Sequence, residues 1–392
     1  MKQTIAALDF GTNKIITVVA ELNGGQRCDI VGTGIAMYDG YLDDNWINPD
    51  ALVEAINKSV QEAEDQAGCR IREIYVGVPA AFSRVYTVEP KVAIQGADPK
   101  VSPKDVADLF SKAAGQLGDT RGTVIHRSPA WFVVDDGNKT IEPTGMRGYE
   151  LKGLVSFVTA EDFFIRDVTE RLKALDIYVD GFFSTPAGQA MLYISEEDRD
   201  RKTVLVDMGY LVTEVMILEG DAITFMKAIP LGGGNIAADL AYGLNIPLTS
   251  AEEIKRNYVY GITAGQEEFV TTDAQGSSVT FKREEVEKVL EPRAEEICES
   301  VRDAIDSSGI KLGSWSAVYF TGGGMAINRG GREYLAAKIN RTVRELPRKT
   351  VKMSSPAYSS ALGLVDLVIS TVKSSESSNG IGGFFRNLFG GS

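Results

Sequence analysis

Two short strings hold the residues best placed to do chemistry. Asp9-Phe10-Gly11 and Asp207-Met208-Gly209 each follow an apolar run, residues 3–8 and 202–206, that reads as a buried strand. Each leads into a second β-rich stretch, Ile15–Ala20 and Val215–Leu218, and closes on a glutamate with a glycine nearby (Glu21 and Gly24; Glu219 and Gly220). Asp9, Gly11 and Glu21 match Asp207, Gly209 and Glu219 at one offset of 198 positions. Ordinary hairpins also carry Asp-x-Gly turns. Glycine at a strand–turn–strand corner, however, lets backbone N–H groups approach a phosphate. A carboxylate beside it can hold a hydrated Mg²⁺ that bridges phosphates. Two such hairpins on similar halves would clamp one nucleotide from opposite sides.

Three more elements follow. Ile229-Pro230-Leu231-Gly232-Gly233-Gly234-Asn235 is a glycine run with Asp239 behind it. In Leu248–Lys255, Ser250 and Glu253 have capping-box spacing, which predicts a helix starting there. Glu252 and Lys255, three apart, fall on one side of that helix. Ala317–Phe320 reads as a buried strand opening into Thr321-Gly322-Gly323-Gly324-Met325. These elements, in this order, resemble the actin/Hsp70/sugar-kinase superfamily.

Within that superfamily the chain resembles the bacterial cell-division FtsA family, from about Thr4 to the C-terminus. The resemblance is carried by Leu8–Ile15, by Val124-Ile125-His126-Arg127-Ser128-Pro129 and by Pro143-Thr144-Gly145-Met146-Arg147-Gly148. Ala251–Lys255, Thr321–Gly324 and Gly383-Phe384-Phe385-Arg386 complete it. It implies an α/β, actin-like two-lobed fold of duplicated ribonuclease-H-like domains, with an inserted 1C subdomain and a C-terminal amphipathic helix. Asp9, Gly11, Thr12, Asn13 and Lys14 would form the first phosphate loop, and Asp207, Met208 and Gly209 the second. Gly232 and Gly233 would join the nucleotide site. Glu252 and Lys255 would face the adenosine, with Gly323 and Gly324 under the adenine and Gly322 and Met325 also in the nucleotide site. ATP and Mg²⁺ are the implied ligands, Mg²⁺ reaching Asp9 and Asp207 through water. Implied partners are a second copy in an actin-like protofilament, the C-terminal peptide of the tubulin-like ring protein FtsZ, other division proteins and the lipid surface. The expected location is the cytoplasmic face of the membrane at the division septum.

The second loop departs from the family pattern. Where further glycines and Thr-Thr-Asp are expected, Tyr210-Leu211-Val212-Thr213-Glu214 stands. A phenol therefore lies where backbone should approach a γ-phosphate. In Phe183–Gln189, Ser184, Thr185 and Pro186 read as a helix cap and first turn, leaving Gln189 as the polar residue to orient a water. At most a slow ATPase is expected, in a protein that is mainly a scaffold. His126 reads as a structural residue of the insert.

The expected layout is 1–84 and 162–200 for subdomain 1A, 85–161 for the insert, 201–230 and 310–350 for 2A, and 231–309 for 2B. A return helix at 351–369, a flexible linker at 370–380 and the amphipathic helix at 381–392 follow. The linker is polar. After it Ile381, Phe384, Phe385 and Leu388 recur at helical spacing with Phe389 beside them and Arg386 opposite. That face suits a lipid interface; the competing reading is a helix docked on the protein's own core. Within 2B, Lys282, Arg283, Lys288 and Arg293 could attract an acidic peptide, or form a solvated helix face.

Composition narrows the classes. A net charge of −13 without a Lys/Arg-rich block makes nucleic acid a poor partner. Three scattered cysteines, Cys28, Cys69 and Cys298, suit a reducing compartment. One histidine leaves no His pair for zinc. No targeting segment is expected at the N-terminus. The rival readings are a PilM-like pilus-assembly or MreB-like shape scaffold, which should lack the tail or the insert, and a sugar or carboxylate kinase.

Overall fold

A computed structural model describes residues 3–23, 27–261, 267–350 and 353–376. The chain opens with β1 (Gln3–Phe10), β2 (Lys14–Asn23) and β3 (Arg27–Met37) as an antiparallel meander, then a small hairpin of β4 (Tyr41–Leu42) and β5 (Asn45–Trp46). Helix α1 (Pro49–Ala67) crosses over to β6 (Glu73–Val78), which lies parallel to β1. Asn48 caps α1, its side chain accepting the Ala51 N–H.

The chain then builds a separate module from β7 (Ser83–Val88), β8 (Lys91–Ala93), α2 (Pro103–Gln116), β9 (Thr123–Val134) and β10 (Glu150–Ala160). Leu109, Phe110, Phe132, Leu151 and Phe157 form its own core. A full capping box starts α2: Ser102 accepts the Asp105 N–H, and Asp105 accepts that of Ser102. Then α3 (Asp162–Ala174), β11 (Tyr178–Ser184), α4 (Thr185–Tyr193) and α5 (Glu196–Asp200) return to the first sheet, whose order is β11-β6-β1-β2-β3.

The second sheet repeats the first. Strands β12 (Thr203–Met208), β13 (Thr213–Glu219) and β14 (Ala222–Ile229) form the meander. Helices α6 (Gly233–Gly243) and α7 (Leu248–Asn257), the hairpin β15 (Glu268–Thr272) and β16 (Ser278–Lys282), and α8 (Arg283–Ser307) precede β17 (Val318–Thr321). After α9 (Gly331–Ile339), β18 (Val343–Glu345) completes the order β14-β13-β12-β17-β18. The pairing repeats the 198-residue offset: Asp9 lies opposite Ile16, and Asp207 opposite Glu214.

Both faces of each central strand are covered, so β1 and β12 read as unbroken apolar runs. Ala6, Leu8 and Phe10 point into one core, and Ile5 and Ala7 into another shared with Leu205, Met216 and Leu218 of the second sheet. That shared core also holds α4 and α10 (Ser359–Glu376). These helices cross closely because both carry glycine there. A Cβ on Gly188 would meet the Gly363 carbonyl oxygen at 2.5 Å, and one on Gly363 the Gln189 Cα at 2.4 Å.

Two local expectations are corrected. Helix α7 begins at Leu248 after Pro247, without a side-chain cap; the Ser250 hydroxyl instead donates to the Thr272 carbonyl at 2.8 Å. Helix α10 continues to Glu376, so residues 370–376 are helical rather than a flexible linker. A serine-rich stretch can still extend a helix already docked through Val365, Val368 and Ile369. Residues 377–392, with Ile381, Phe384, Phe385, Arg386, Leu388 and Phe389, lie outside the described residues. Among the described residues no helix is long and apolar enough to cross a membrane.

Candidate functional site

The β1–β2 and β12–β13 corners face one another across a cleft of about 280 Å³. Each corner closes the same way: Gly11 N–H donates to the Lys14 carbonyl at 3.0 Å, and Gly209 N–H to that of Val212 at 2.9 Å. Tyr38 fixes the first loop, its hydroxyl donating to the Gly11 carbonyl at 2.6 Å. Behind Asp9, Phe10 packs against Trp46 and Phe164 at ring distances of 5.5 and 5.6 Å. The loops also touch: Thr12 Oγ1 accepts the N–H groups of Tyr210 and Leu211, at 3.1 and 2.9 Å.

Of the expected residues, Asp9, Gly11, Thr12, Asn13, Lys14, Asp207, Gly209, Glu252, Lys255, Gly322 and Gly323 line this cleft. Met208 and Met325 are instead fully buried in the second lobe's core. Gly232, Gly233 and Gly324 lie behind the wall, holding it by backbone bonds: Gly233 N–H donates to the Gly209 carbonyl and Gly324 N–H to that of Met208, at 3.0 and 2.7 Å.

Four acids line the cleft, and burial raises the carboxyls of three of them, Asp9, Asp207 and Glu214. Burial pushes the Asp9 carboxyl up to about 6; the Ser360 hydroxyl and Lys14 oppose the rise, and the charge of Asp207 adds to it. Burial also raises Asp207, against a hydrogen bond from Gln189 and the charge of Lys14. Glu214 is pushed up to about 8 by burial and then by Asp207, although it accepts the Ala80 N–H at 2.9 Å. Burial lowers the Lys14 ammonium, which sits 4.8 Å from the centre of the Tyr358 ring.

On the far wall, Lys255 is almost fully buried and donates to Glu252 at 2.7 Å and to the Gly233 carbonyl at 3.1 Å. The Tyr210 ring lies beneath its ammonium at 5.3 Å, so the phenol packs along the wall. Arg256 pairs with the other Glu252 oxygen at 3.3 Å. Gln189 does not line the cleft. It is buried, and both hydrogens of its amide are committed, to Asp207 at 2.6 Å and Ser359 at 2.8 Å. It holds a carboxylate, and no N–H remains to orient a water.

Sequence reading missed the wall formed by Ser355, Pro356, Ala357, Tyr358 and Ser360 ahead of and in the first turn of α10. No local spacing marks these residues; the α4–α10 crossing brings them there. Arg256 was findable, four residues from Glu252 on one helix. Elsewhere, His126 is buried, and burial lowers its pKa to about 4. Arg283 is buried too, bonded to Glu287, the Tyr258 hydroxyl and the Val259 carbonyl, and so is not a surface cation. Arg293 is held by Asp239 and Glu296. Lys282 and Lys288 remain exposed.

The donor set fits a hydrated divalent cation better than a directly ligated one. Among the described residues no three His, Cys, Asp or Glu side chains converge as metal ligands. Asp9 and Asp207 nevertheless lie close enough to feel each other's charge, with neutral donors on both. The buried Thr185 hydroxyl on the cleft wall has no hydrogen-bond partner among the described residues, leaving it for a ligand or water.

Residues 204–363 match the family model described as cell division protein FtsA. The cell division protein FtsA of Pseudomonas aeruginosa is 26% identical over 370 residues, covering 92% of this chain and 88% of that one. That of Bacillus subtilis is 23% identical over 363 residues, covering 92% and 82%. Among solved structures, the PilM–PilN type IV pilus biogenesis complex superposes with a TM-score of 0.61 at 17% identity, covering 93% of this chain and 98% of that one. MreB5 of Spiroplasma citri bound to ADP gives 0.55 at 12%, covering 96% and 99%. At such identities these two establish the fold, an actin-like one. The relatives' coverage, the family match and that fold agree: the chain is similar to cell division protein FtsA over most of its length and has an actin-like fold.

Proposed function

We propose that this chain is a division scaffold that binds an adenine nucleotide, ATP with Mg²⁺, in the cleft between its lobes. In this reading it polymerises like actin and tethers the FtsZ ring to the membrane through residues 381–392, recruiting later division proteins. The observation that carries the nucleotide reading is the meeting of two Asp-x-Gly corners, with identical turn bonds, across one cleft. Asp9 and Asp207 would hold the hydrated cation. Lys14 and the first-loop amides would hold phosphate, and the Gly322–Gly323 turn would line the base or ribose. When bound, the cation supplies charge neutralisation along the phosphates.

Titration calorimetry tests the site. Wild type should bind MgATP or MgADP, and Asp9→Ala should bind much more weakly; equal affinities would reject the assignment. Liposome co-sedimentation tests the tether. The whole chain should pellet with vesicles, whereas a version ending at Gly380, or carrying Phe385→Asp, should stay in solution with an unchanged melting curve. A weak interfacial helix gains firm attachment when a polymer presents many copies, so pelleting should rise cooperatively with protein concentration.

A further inference from the structure

A phosphate clamp made of two hairpins offers an anion its backbone N–H groups. In the second loop these are already engaged. Gly209 N–H closes its turn on Val212, and the N–H groups of Tyr210 and Leu211 both reach Thr12 Oγ1, at 3.1 and 2.9 Å. One hydroxyl oxygen, coming from the opposite lobe, thus sits where two amides would grip an anionic oxygen. In return Thr12 has a single O–H to donate.

The first loop is different. Gly11 N–H closes its turn, but among the described residues no hydrogen bond engages the N–H of Thr12 or Asn13, and the Lys14 ammonium is adjacent. The clamp is therefore one-sided. Thr12 is also held in place: it is 6% exposed, and the backbone of Gly40, at φ +85°, passes so close that a Cβ there would come within 2.0 Å of the Thr12 carbonyl oxygen. Charge points the same way. Asp9, Asp207, Glu214 and Glu252 line the cleft with Lys14, while the other two cations on its wall are engaged, Lys255 by Glu252 and Gly233 and Arg256 by Glu252 at 3.3 Å. A third phosphate would bring more negative charge and find few free donors.

We propose that Thr12 is a specificity-determining residue that makes this cleft favour a nucleoside diphosphate, with its divalent cation, over the triphosphate. The contact between the loops then needs no γ-phosphate, because the Thr12 hydroxyl supplies its oxygen. This rests on the nucleotide reading above.

Calorimetry on the full chain tests it, with MgADP against the Mg²⁺ complex of an ATP analogue carrying an imido group between its β- and γ-phosphorus atoms. Wild type should bind the diphosphate about tenfold more tightly, on the scale of one or two hydrogen bonds to a charged group. Thr12→Val keeps the shape, frees both amides and should shift that ratio about tenfold towards the triphosphate, whereas Thr12→Ser should keep the wild-type ratio. A wild type that binds the triphosphate as tightly overturns the proposal, as does a Thr12→Val ratio equal to that of wild type. If Thr12→Val fails to fold, the wild-type and Thr12→Ser ratios decide. Failure of wild type to bind either nucleotide removes the nucleotide reading itself, a different result from binding both equally.

Discussion

Ser360 donates a 2.7 Å hydrogen bond to the Asp9 carboxylate, joining the last described helix to the first strand across 351 positions. Its neighbour Ser359 receives the Gln189 amide, which also holds Asp207, so the first turn of α10 serves both acids of the cleft. The Ser360 bond favours the charged form of a carboxyl that burial pushes up. Ser360→Ala should therefore raise the Asp9 pKa further and weaken Mg²⁺-dependent nucleotide binding severalfold. It should lower the melting temperature by about 2–4 °C, for the loss of about 1 kcal/mol. Calorimetry with Mg²⁺ and with chelator separates the two effects. Unchanged affinity in Mg²⁺ would show that the bond serves folding alone.

Glu214 gives the protein a pH dependence. Its carboxyl rises from an ordinary 4.5 to about 8, burial being the main cause. In that window the native state keeps a proton that the unfolded chain has released. Stability therefore falls as pH rises from about 4.5 to about 8. Asp9, raised from 3.8 to about 6, adds to the lower part of the fall. Glu214→Gln keeps an oxygen for the Ala80 N–H but cannot ionise. Its melting temperature should be close to wild type near pH 5 and exceed it by several degrees or more at pH 8.5. A constant difference across the range would contradict this.

The two corners were legible because everything they need is local: an apolar strand, an acid, a glycine and a second strand. The 198-residue offset then appears unchanged in the strand register. Residues placed by long-range packing were not legible. Gln189 offered itself as a free polar group, and only the packing of α4 against α10 and the second sheet shows that both N–H groups of its amide are taken. Ser250 matched a capping box, but tertiary structure gave its hydroxyl the Thr272 carbonyl instead. The same limit applies to Arg283, whose charge suggested a surface and whose bonds place it inside.

Gln189 should accordingly behave as a positioning residue. Gln189→Leu removes both donors and leaves Asp207 buried without its amide. An unsatisfied buried acceptor of this kind costs about 1–3 kcal/mol, more where charged. The variant should melt several degrees lower in the absence of any nucleotide, and its apparent Asp207 pKa should rise. If the nucleotide-free melt is unchanged while ATP turnover is lost, Gln189 orients a water after all.

Lys255 makes the same distinction on the opposite wall. A lysine whose only task was to touch adenosine would wait in solvent, and replacing it would leave the nucleotide-free protein as stable as before. Here the ammonium is buried, bonded to Glu252 and the Gly233 carbonyl, and set over the Tyr210 ring. Its partners are themselves placed: Gly233 N–H bonds the β12–β13 corner at the Gly209 carbonyl, and Glu252 also pairs with Arg256. Lys255→Met keeps much of the aliphatic stem but leaves the Glu252 carboxylate short of a partner. Breaking a buried pair from one side costs about 3–5 kcal/mol, and Arg256, itself exposed, offsets only part of that. Thermal melts without nucleotide should therefore show a large loss for Lys255→Met. Adding Glu252→Gln should recover part of it, because the stranded charge is then gone. If the single variant melts like wild type, or the double variant melts no higher than the single, the wall is not held by this pair and Lys255 is free to serve the ligand.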